Sequence, residues 1–256
     1  MTKGGENMKV WKAVIVGLTQ GLTEFLPVSS SGHLALLSKL GIAPTSLYYN
    51  LALHLATLGA VLLAMRREVW EVVRHPIKGE GKYLLLATLP TVGIAFLFKK
   101  LLPDLLMGSL LGFGFLLTAA LLLFAEITRK EAKERMINAK ISLLTGVMQG
   151  VAVLPGVSRS GATLSALSSC GVQGERAARF SFLLSLPVIV GGFLLEGMES
   201  GFSAAGADGG EILVAAVTAF FSGLLAVKWM LGQVKKGFKP FIPYVFALGV
   251  MCYFLP

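Results

Sequence analysis

The chain has 256 residues, of which 55% are hydrophobic and only 14% charged, and its mean hydropathy is +0.75. Soluble globular domains carry about 25% charged and about 45–50% apolar residues, so a water-soluble enzyme is all but excluded. Disorder is excluded as well, because there is ample apolar surface to bury. In such a chain the net charge of +9 reads as a cytoplasmic excess of Lys and Arg with attraction to anionic lipid, not as a footprint for nucleic acid.

In chain order, apolar runs long enough to span or nearly span a bilayer fall at 47–65, 83–98, 105–125, 177–198, 212–231 and 241–255. Two further stretches, 10–42 and 140–170, are interrupted by Pro, Gly and Ser clusters and read as short helices broken by loops. Non-helical backbone at membrane depth is tolerated only where protein buries it or where it lines a wet cavity. A functional site is therefore expected in those two stretches.

The connections differ in charge. Arg66, Arg67, Arg74, Lys78 and Lys82 crowd one, Arg129, Lys130, Lys133, Arg135 and Lys140 a second, and Lys235, Lys236 and Lys239 a third, whereas Glu199 to Glu211 holds no Lys or Arg. The positive-inside rule puts the basic connections in the cytoplasm and the acidic one outside, with the carboxyl terminus outside too. Cys170 and Cys252 lie in apolar stretches and read as small buried hydrophobes, with neither a disulfide framework nor metal-ligand spacing. No charged-then-apolar segment with a cleavage site opens the sequence, so no removable signal peptide is expected.

An internal repeat organises the chain. Gly17-Leu-Thr-Gln-Gly21 matches Gly146-Val-Met-Gln-Gly150, Leu26-Pro27 matches Leu154-Pro155, and Val28-Ser-Ser-Ser-Gly32 matches Val157-Ser-Arg-Ser-Gly161, at an offset of 129. Residues 10–127 and 139–256 read as two copies of one unit within a single integral membrane domain, 1–256. Counting crossings against the charge rule inverts one copy relative to the other, with Lys3, Lys9 and Lys12 on the outside against that rule. The expected fold is an all-α polytopic membrane protein of two inverted-topology repeats, each with a broken, re-entrant helix pair and about three transmembrane helices.

The polar residues concentrate at the two breaks. Gln20 and Glu24 are four apart and share a helix face. Pro27 ends that helix, Ser29, Ser30 and Ser31 can cap the next, and His33 lies near its start. A helix amino end with free N–H groups is a ready anion site. The second break, Pro155 to Thr163, has Arg159 where the first has Ser30, flanked by Ser158, Ser160 and Thr163. An arginine there suits bidentate binding of phosphate oxygens. If the breaks face each other, an anion clamp meets a nucleophile and an acid–base pair, as phosphoryl transfer on a lipid-borne substrate requires. The plainer alternatives are serines that only cap or join helices and a structural Glu24–Arg159 ion pair, although ionisable groups at membrane depth favour function. His54, alone on an apolar span, suits a packed role at least as well as a catalytic one; His75 reads as solvated, Glu126 as interfacial, and Glu196 and Glu199 as flanking the outer connection.

At these residues the sequence resembles the bacterial undecaprenyl-diphosphatase family of the bacitracin-resistance type. The first family motif, Glu or Gln, three residues, Glu, then Pro-Val-Ser-Ser-x-Gly-His, stands here as Gln20, Glu24 and Pro27 to His33. The second, Pro-Gly-x-Ser-Arg-Ser-x-x-Thr, stands as Pro155 to Thr163, and Phe180 to Pro187 is also similar. The resemblance implies hydrolysis of a C55 isoprenyl diphosphate, a multi-pass protein of the bacterial inner membrane with its site toward the outer leaflet, and an assisting Mg²⁺ or Ca²⁺ with Glu24 as its ligand. It implies partners limited to the long-chain prenyl diphosphate and the membrane, without nucleic acid; a homo-oligomer is compatible with it. Carried over by position, Glu24, Ser30 and His33 would be catalytic, and Arg159, Ser158, Thr163, Ser160 and Gln20 would bind substrate. Ser30 is then the expected nucleophile, with His33 or Glu24 as its base and His33 as the rival nucleophile. Gln20 is an amide and neither takes a proton nor neutralises a metal. A lipid-phosphate transporter using the same cavity is the competing class. The other large class of membrane lipid phosphatases is rejected, since its Lys-x6-Arg-Pro element is absent.

Overall fold

The computed structural model describes residues 4–44, 46–103, 110–129, 135–200 and 209–254. Lys3, Lys130, Lys133, the start of the 105–125 run and most of the 199–211 segment lie outside the described residues, as do the side chains of Lys9, Glu196 and Glu199. The described residues form helices and no strand: α1 (Gly4–Phe25), α2 (Ser30–Lys39), α3 (Leu47–Ala64), α4 (Arg66–Arg74), α5 (Gly81–Leu101), α6 (Leu111–Thr128), α7 (Ala139–Val151), α8 (Arg159–Ser169), α9 (Gly174–Ser200), α10 (Gly209–Gln233), a 3-10 turn (Val234–Lys236) and α11 (Phe241–Met251).

Among the described residues four helices are long and apolar enough to cross a membrane: Gly81–Leu101, Leu111–Thr128, Gly174–Leu195 and Gly209–Lys236. Their outward faces carry Leu89, Phe124, Leu195 and Leu225, each more than half exposed, as lipid contact favours. α3 and α4, bent by 90° at Met65, pass the same length and hydropathy test only when taken together, as a broken span or a re-entrant pair. Two expectations need correction. The run 241–255 yields α11, only 11 residues long and closed by turns from Cys252 onward; at about 1.5 Å per residue it falls well short of the roughly 30 Å apolar core. The first broken stretch does not begin with a short helix, because α1 runs 22 residues from Gly4.

The breaks follow from local chemistry. Pro27 and Pro155 lack an N–H and stop the preceding helix. Ser29 then caps α2 by accepting from the Gly32 N–H at 3.2 Å, and Ser158 caps α8 by accepting from the Gly161 N–H at 3.0 Å. The tight turn requires positive φ in both places: Gly156 has φ +86°, whereas in the first break Ser29 takes φ +71°, alone among described non-glycine residues. Each pair folds back as a hairpin: Lys12, in the third turn of α1, donates through Nζ to the Gly41 carbonyl (3.0 Å) just past α2, and Arg135 N–H, ahead of α7, donates to the Gly171 carbonyl (2.9 Å) just past α8.

Close backbone approach sets where the hairpins lie. α1 runs along α10, where a Cβ on Gly17 would sit 2.4 Å from the Ala215 carbonyl oxygen and one on Gly21 2.0 Å from Ser222 Oγ. α7 runs along α5, where a Cβ on Gly146 would sit 2.0 Å from the Ala87 carbonyl oxygen. Small residues permit such packing where lipid supplies no hydrophobic drive. Ser222 Oγ donates to the Gly17 carbonyl at 3.4 Å and Thr91 Oγ1 to that of Gly146 at 2.8 Å. Gly17 lies against Ala215 and Gly21 against Ala219, so α1 runs parallel to α10 and comes in from the Glu211 side, whereas Ser142 against Tyr83 and Gly146 against Ala87 make α7 run parallel to α5 from its Gly81 end. The two tips meet where Ser160 Oγ donates to the Leu26 carbonyl. Behind the tips, Phe25 and Phe182 pack edge to face at 5.4 Å in a core shared with Phe115, Leu164 and Leu184.

The basic connections gather at one end. Arg179 pairs with Glu68 and Glu175, Lys235 with Glu175 at 3.7 Å, and Arg129 donates to the Val234 and Lys236 carbonyls. Glu126, two residues before the end of α6 at this basic end, is only 6% exposed. Its carboxylate accepts the Phe238 N–H at 2.8 Å and pairs with Arg129 at 3.3 Å, because the 234–238 turn folds over the end of α6.

Candidate active site

The last turn of α1 aims Gln20 and Glu24 at the junction of the two tips. Glu24 is 5% exposed and Gln20 fully buried. Arg159, first residue of α8, donates through Nη2 to Glu24 Oε1. Ser30, first residue of α2, donates to Glu24 Oε2 at 2.5 Å, and Gln20 Nε2 donates to the same oxygen at 3.0 Å. His54 closes the ring from α3, with Nδ1 3.2 Å from Gln20 Nε2 and 3.6 Å from Glu24 Oε1. Side chains of the three consecutive helices α1, α2 and α3 and of the distant α8 thus converge on one carboxylate. A carboxylate so buried needs these donors, because desolvating an unpaired charge costs several kcal/mol.

Two buried side-chain atoms beside this carboxylate have no partner: Arg159 Nη1, a donor, and Gln20 Oε1, an acceptor. Each unsatisfied buried group costs about 1–3 kcal/mol, and native proteins keep few of them without a chemical reason. A ligand carrying both an anionic oxygen and an electropositive centre would satisfy the two together.

The remaining expected residues are placed differently from one another. Ser158 Oγ caps α8 and meets Ser160 Oγ at 3.2 Å, and Ser160 Oγ also donates to the Leu26 carbonyl across the junction at 2.8 Å. Thr163 Oγ1 donates to the Arg159 carbonyl at 2.9 Å and meets Ser181 Oγ at 2.6 Å. These three hydroxyls brace the Arg159 hairpin. His33 donates from Nδ1 to the Ser29 carbonyl at 2.7 Å, and that proton assignment leaves Nε2 to accept from the Tyr244 hydroxyl, also at 2.7 Å. The ring stacks on Tyr244 with 17° between planes and meets Phe115 edge-on. Sequence reasoning left His54 undecided and missed Tyr244. An imidazole in an otherwise apolar span was a usable signal for the first; Tyr244 on α11 offered none.

The oxygens a hard divalent cation such as Mg²⁺ or Ca²⁺ would use here are those of Glu24, Gln20 Oε1 and Ser30 Oγ. Among the described residues no cluster of three or more His, Cys, Asp or Glu side chains could hold a metal alone. A separate cavity of about 780 Å³ opens among Glu68, Glu71, His75, Glu80, Arg176 and Arg179. Its Arg179 is already paired with Glu68 and Glu175, and none of the residues at the hairpin junction lines it.

The family model described as bacitracin resistance protein BacA matches residues 13–251. Proteins named undecaprenyl-diphosphatase are similar over nearly the whole chain. That of Carboxydothermus hydrogenoformans is 39% identical, over 95% of this chain and 96% of its own. That of Christiangramia forsetii is 36% identical over 95% and 97%, and that of Bacteroides fragilis strain YCH46 is 40% identical over 90% and 91%. With both broken-helix motifs meeting at one carboxylate and this match from end to end, the chain belongs to the BacA bacitracin-resistance family.

Proposed function

We propose that the protein is a multi-pass membrane hydrolase that converts undecaprenyl diphosphate to undecaprenyl phosphate and inorganic phosphate, recycling the lipid carrier for cell-wall synthesis. The observation that carries the site assignment is the guanidinium of Arg159, with Nη1 unpartnered, set against the Glu24 carboxylate to which Ser30 donates.

The diphosphate head lies between the hairpin tips, and the prenyl tail stays among the lipid-facing spans. Arg159 Nη1 donates to an oxygen of the distal phosphate, and the α8 amino end adds a favourable dipole. Ser30 Oγ attacks that phosphorus as its proton passes to Glu24 Oε2, a contact already 2.5 Å long. The bond to the bridging oxygen breaks, and the lipid leaves as the monophosphate. Glu24 passes its proton to the departing monophosphate oxygen, then takes a proton from the attacking water and returns it to Ser30 Oγ as the phosphoserine P–O bond breaks and inorganic phosphate leaves. Glu24 and Gln20 Oε1 would hold a divalent cation, which when bound offsets the charge on the phosphate oxygens. His33, with both nitrogens engaged by Ser29 and Tyr244, orients the α2 amino end and is not the nucleophile.

In this reading the chain sits in the bacterial inner membrane as two inverted repeats, 10–127 and 139–256. The basic end faces the cytoplasm and the site faces the outer leaflet, supported by the first hairpin coming in from the end opposite the basic connections. The test is purified protein in detergent with long-chain prenyl diphosphate and varied Mg²⁺ or Ca²⁺, quenched early and mapped by mass spectrometry. Phosphate release with a label on Ser30 is expected. No release under any cation would overturn the phosphatase, and a label on His33 would overturn the serine step.

A further inference from the structure

We infer that His54 is a positioning residue, fixing the Gln20 amide so that its carbonyl oxygen, not its NH2 group, is presented to the ligand. The inference deepens the proposed function and rests on its reading of the pocket as a site for a cation-bearing diphosphate.

A glutamine amide has two N–H donors on one end and a carbonyl acceptor on the other. Glu24 Oε2 accepts only, so the NH2 end must face it, as the 3.0 Å contact records. One hydrogen bond leaves the amide plane undefined, because the terminal torsion of a glutamine is broad. Glu24 Oε2 also accepts from Ser30, which weakens its hold on the amide. The second N–H meets His54 Nδ1 at 3.2 Å. Two bonds from one nitrogen define the plane, and Oε1 is then left buried without a hydrogen-bond partner. Because Nδ1 accepts, the imidazole carries its proton on Nε2. Gln20 thereby acts as an oxygen donor, a role a carboxylate at that position would perform in either orientation. His54 matters because position 20 is an amide.

The first test is read without substrate. The chain has three histidines, so ¹⁵N-histidine labelling gives three imidazoles, and His54 is assigned by its loss in His54→Leu. At neutral pH it is expected in the Nε2–H tautomer with Nδ1 as acceptor; a protonated Nδ1 would overturn the inference. The second test is kinetic. His54→Leu should lower kcat/KM by about 10- to 100-fold, as loss of an orienting partner does, and raise the cation concentration for half-maximal rate. His54→Asn, whose Oδ1 can take the place of Nδ1, should recover most of that loss. Adding Gln20→Glu to His54→Leu should bring kcat/KM to within about twofold of Gln20→Glu alone, since the two changes then no longer interact. If the His54→Leu loss is as large or larger with glutamate at position 20, His54 offsets the charge of Glu24 and the inference fails. A wild-type protein that releases no phosphate would sink the phosphatase reading, yet the tautomer measurement would still decide this one.

Discussion

The α1–α2 hairpin and the α7–α8 hairpin each stop at a proline, cap their second helix with a serine, and slide their first helix against a long span on a glycine pair. Beyond that they diverge. In the second hairpin Ser158, Ser160 and Thr163 are turned to backbone carbonyls, an amide N–H and each other, and all three are nearly inaccessible. In the first, Ser30 points at a carboxylate, Ser31 is exposed, and His33 reaches across to Tyr244. Even the turn differs, with a glycine at positive φ in one and a serine in the other. One hairpin is a braced mount for a single guanidinium, and its counterpart carries the groups that can react. In the mechanism proposed above, the first residue of the second helix, Ser30 in one hairpin and Arg159 in the other, divides attack from clamping.

The largest effects should come from that pair. Ser30→Ala should lower kcat by about 10⁴-fold or more, the scale on which a lost nucleophile acts. Ser158→Ala, at the neighbouring position of the other hairpin, removes a cap worth about 1 kcal/mol and should act mainly on melting temperature. Equal losses at the two serines, read as phosphate release per mole of folded protein, would erase the distinction between the hairpins. Next comes Arg159→Ala, expected to cost about 10²–10³-fold in kcat through loss of transition-state charge stabilisation. Arg159→Lys should restore little, because an ammonium cannot reach Glu24 and a phosphate oxygen through two separate nitrogens.

Much of this arrangement was legible in the amino acids, and the limits have physical causes. The breaks could be read because each proline comes with a Gly and Ser cluster that turns and caps the chain, unlike Pro90 and Pro187 inside α5 and α9. The meeting of Glu24, Ser30 and Arg159 could be read because the two breaks share a motif. The hydroxyl roles could not, since spacing tells that Ser160 and Thr163 lie near a helix start but not that Leu26 and Ser181 pack against them. His54 belongs to another span, and only tertiary packing brings it to Gln20. Counting apolar residues overestimated α11, since hydropathy does not register where the backbone turns, and underestimated α1, whose first turns contain Glu6, Lys9 and Lys12 yet remain helical.

The glycine contacts sharpen the comparison on the stability side. Gly146→Ala and Gly17→Ala each drive a Cβ into a backbone carbonyl that cannot swing aside, and overpacking of this kind costs about 1–3 kcal/mol. Both should lower the melting temperature, and both should lower activity by moving a tip. Gly191→Ala is the control: nothing lies within 4 Å of its Cβ, and replacing a helical glycine by alanine favours the helix by up to about 1 kcal/mol. Should all three behave alike, close approach is not what seats the hairpins.

The smallest expected effect tests the reactive hairpin's link to α11. Tyr244→Phe keeps the ring that stacks on His33 and removes only the hydroxyl that donates to Nε2. A single hydrogen bond of this type contributes about 0.5–1.5 kcal/mol, so stability should change little and kcat should fall by roughly tenfold at most. The direction of any pH dependence carries the argument further. With the phenol present, Nδ1 donates to Ser29 and Nε2 accepts, so the ring is held neutral. Without it, Nε2 is free to take a proton, and the rate of Tyr244→Phe should fall more steeply than wild type on the acid side. A wild-type pH profile in the variant would mean that His33 does not act through the start of α2, and that the first hairpin is reactive through Ser30 and Glu24 alone.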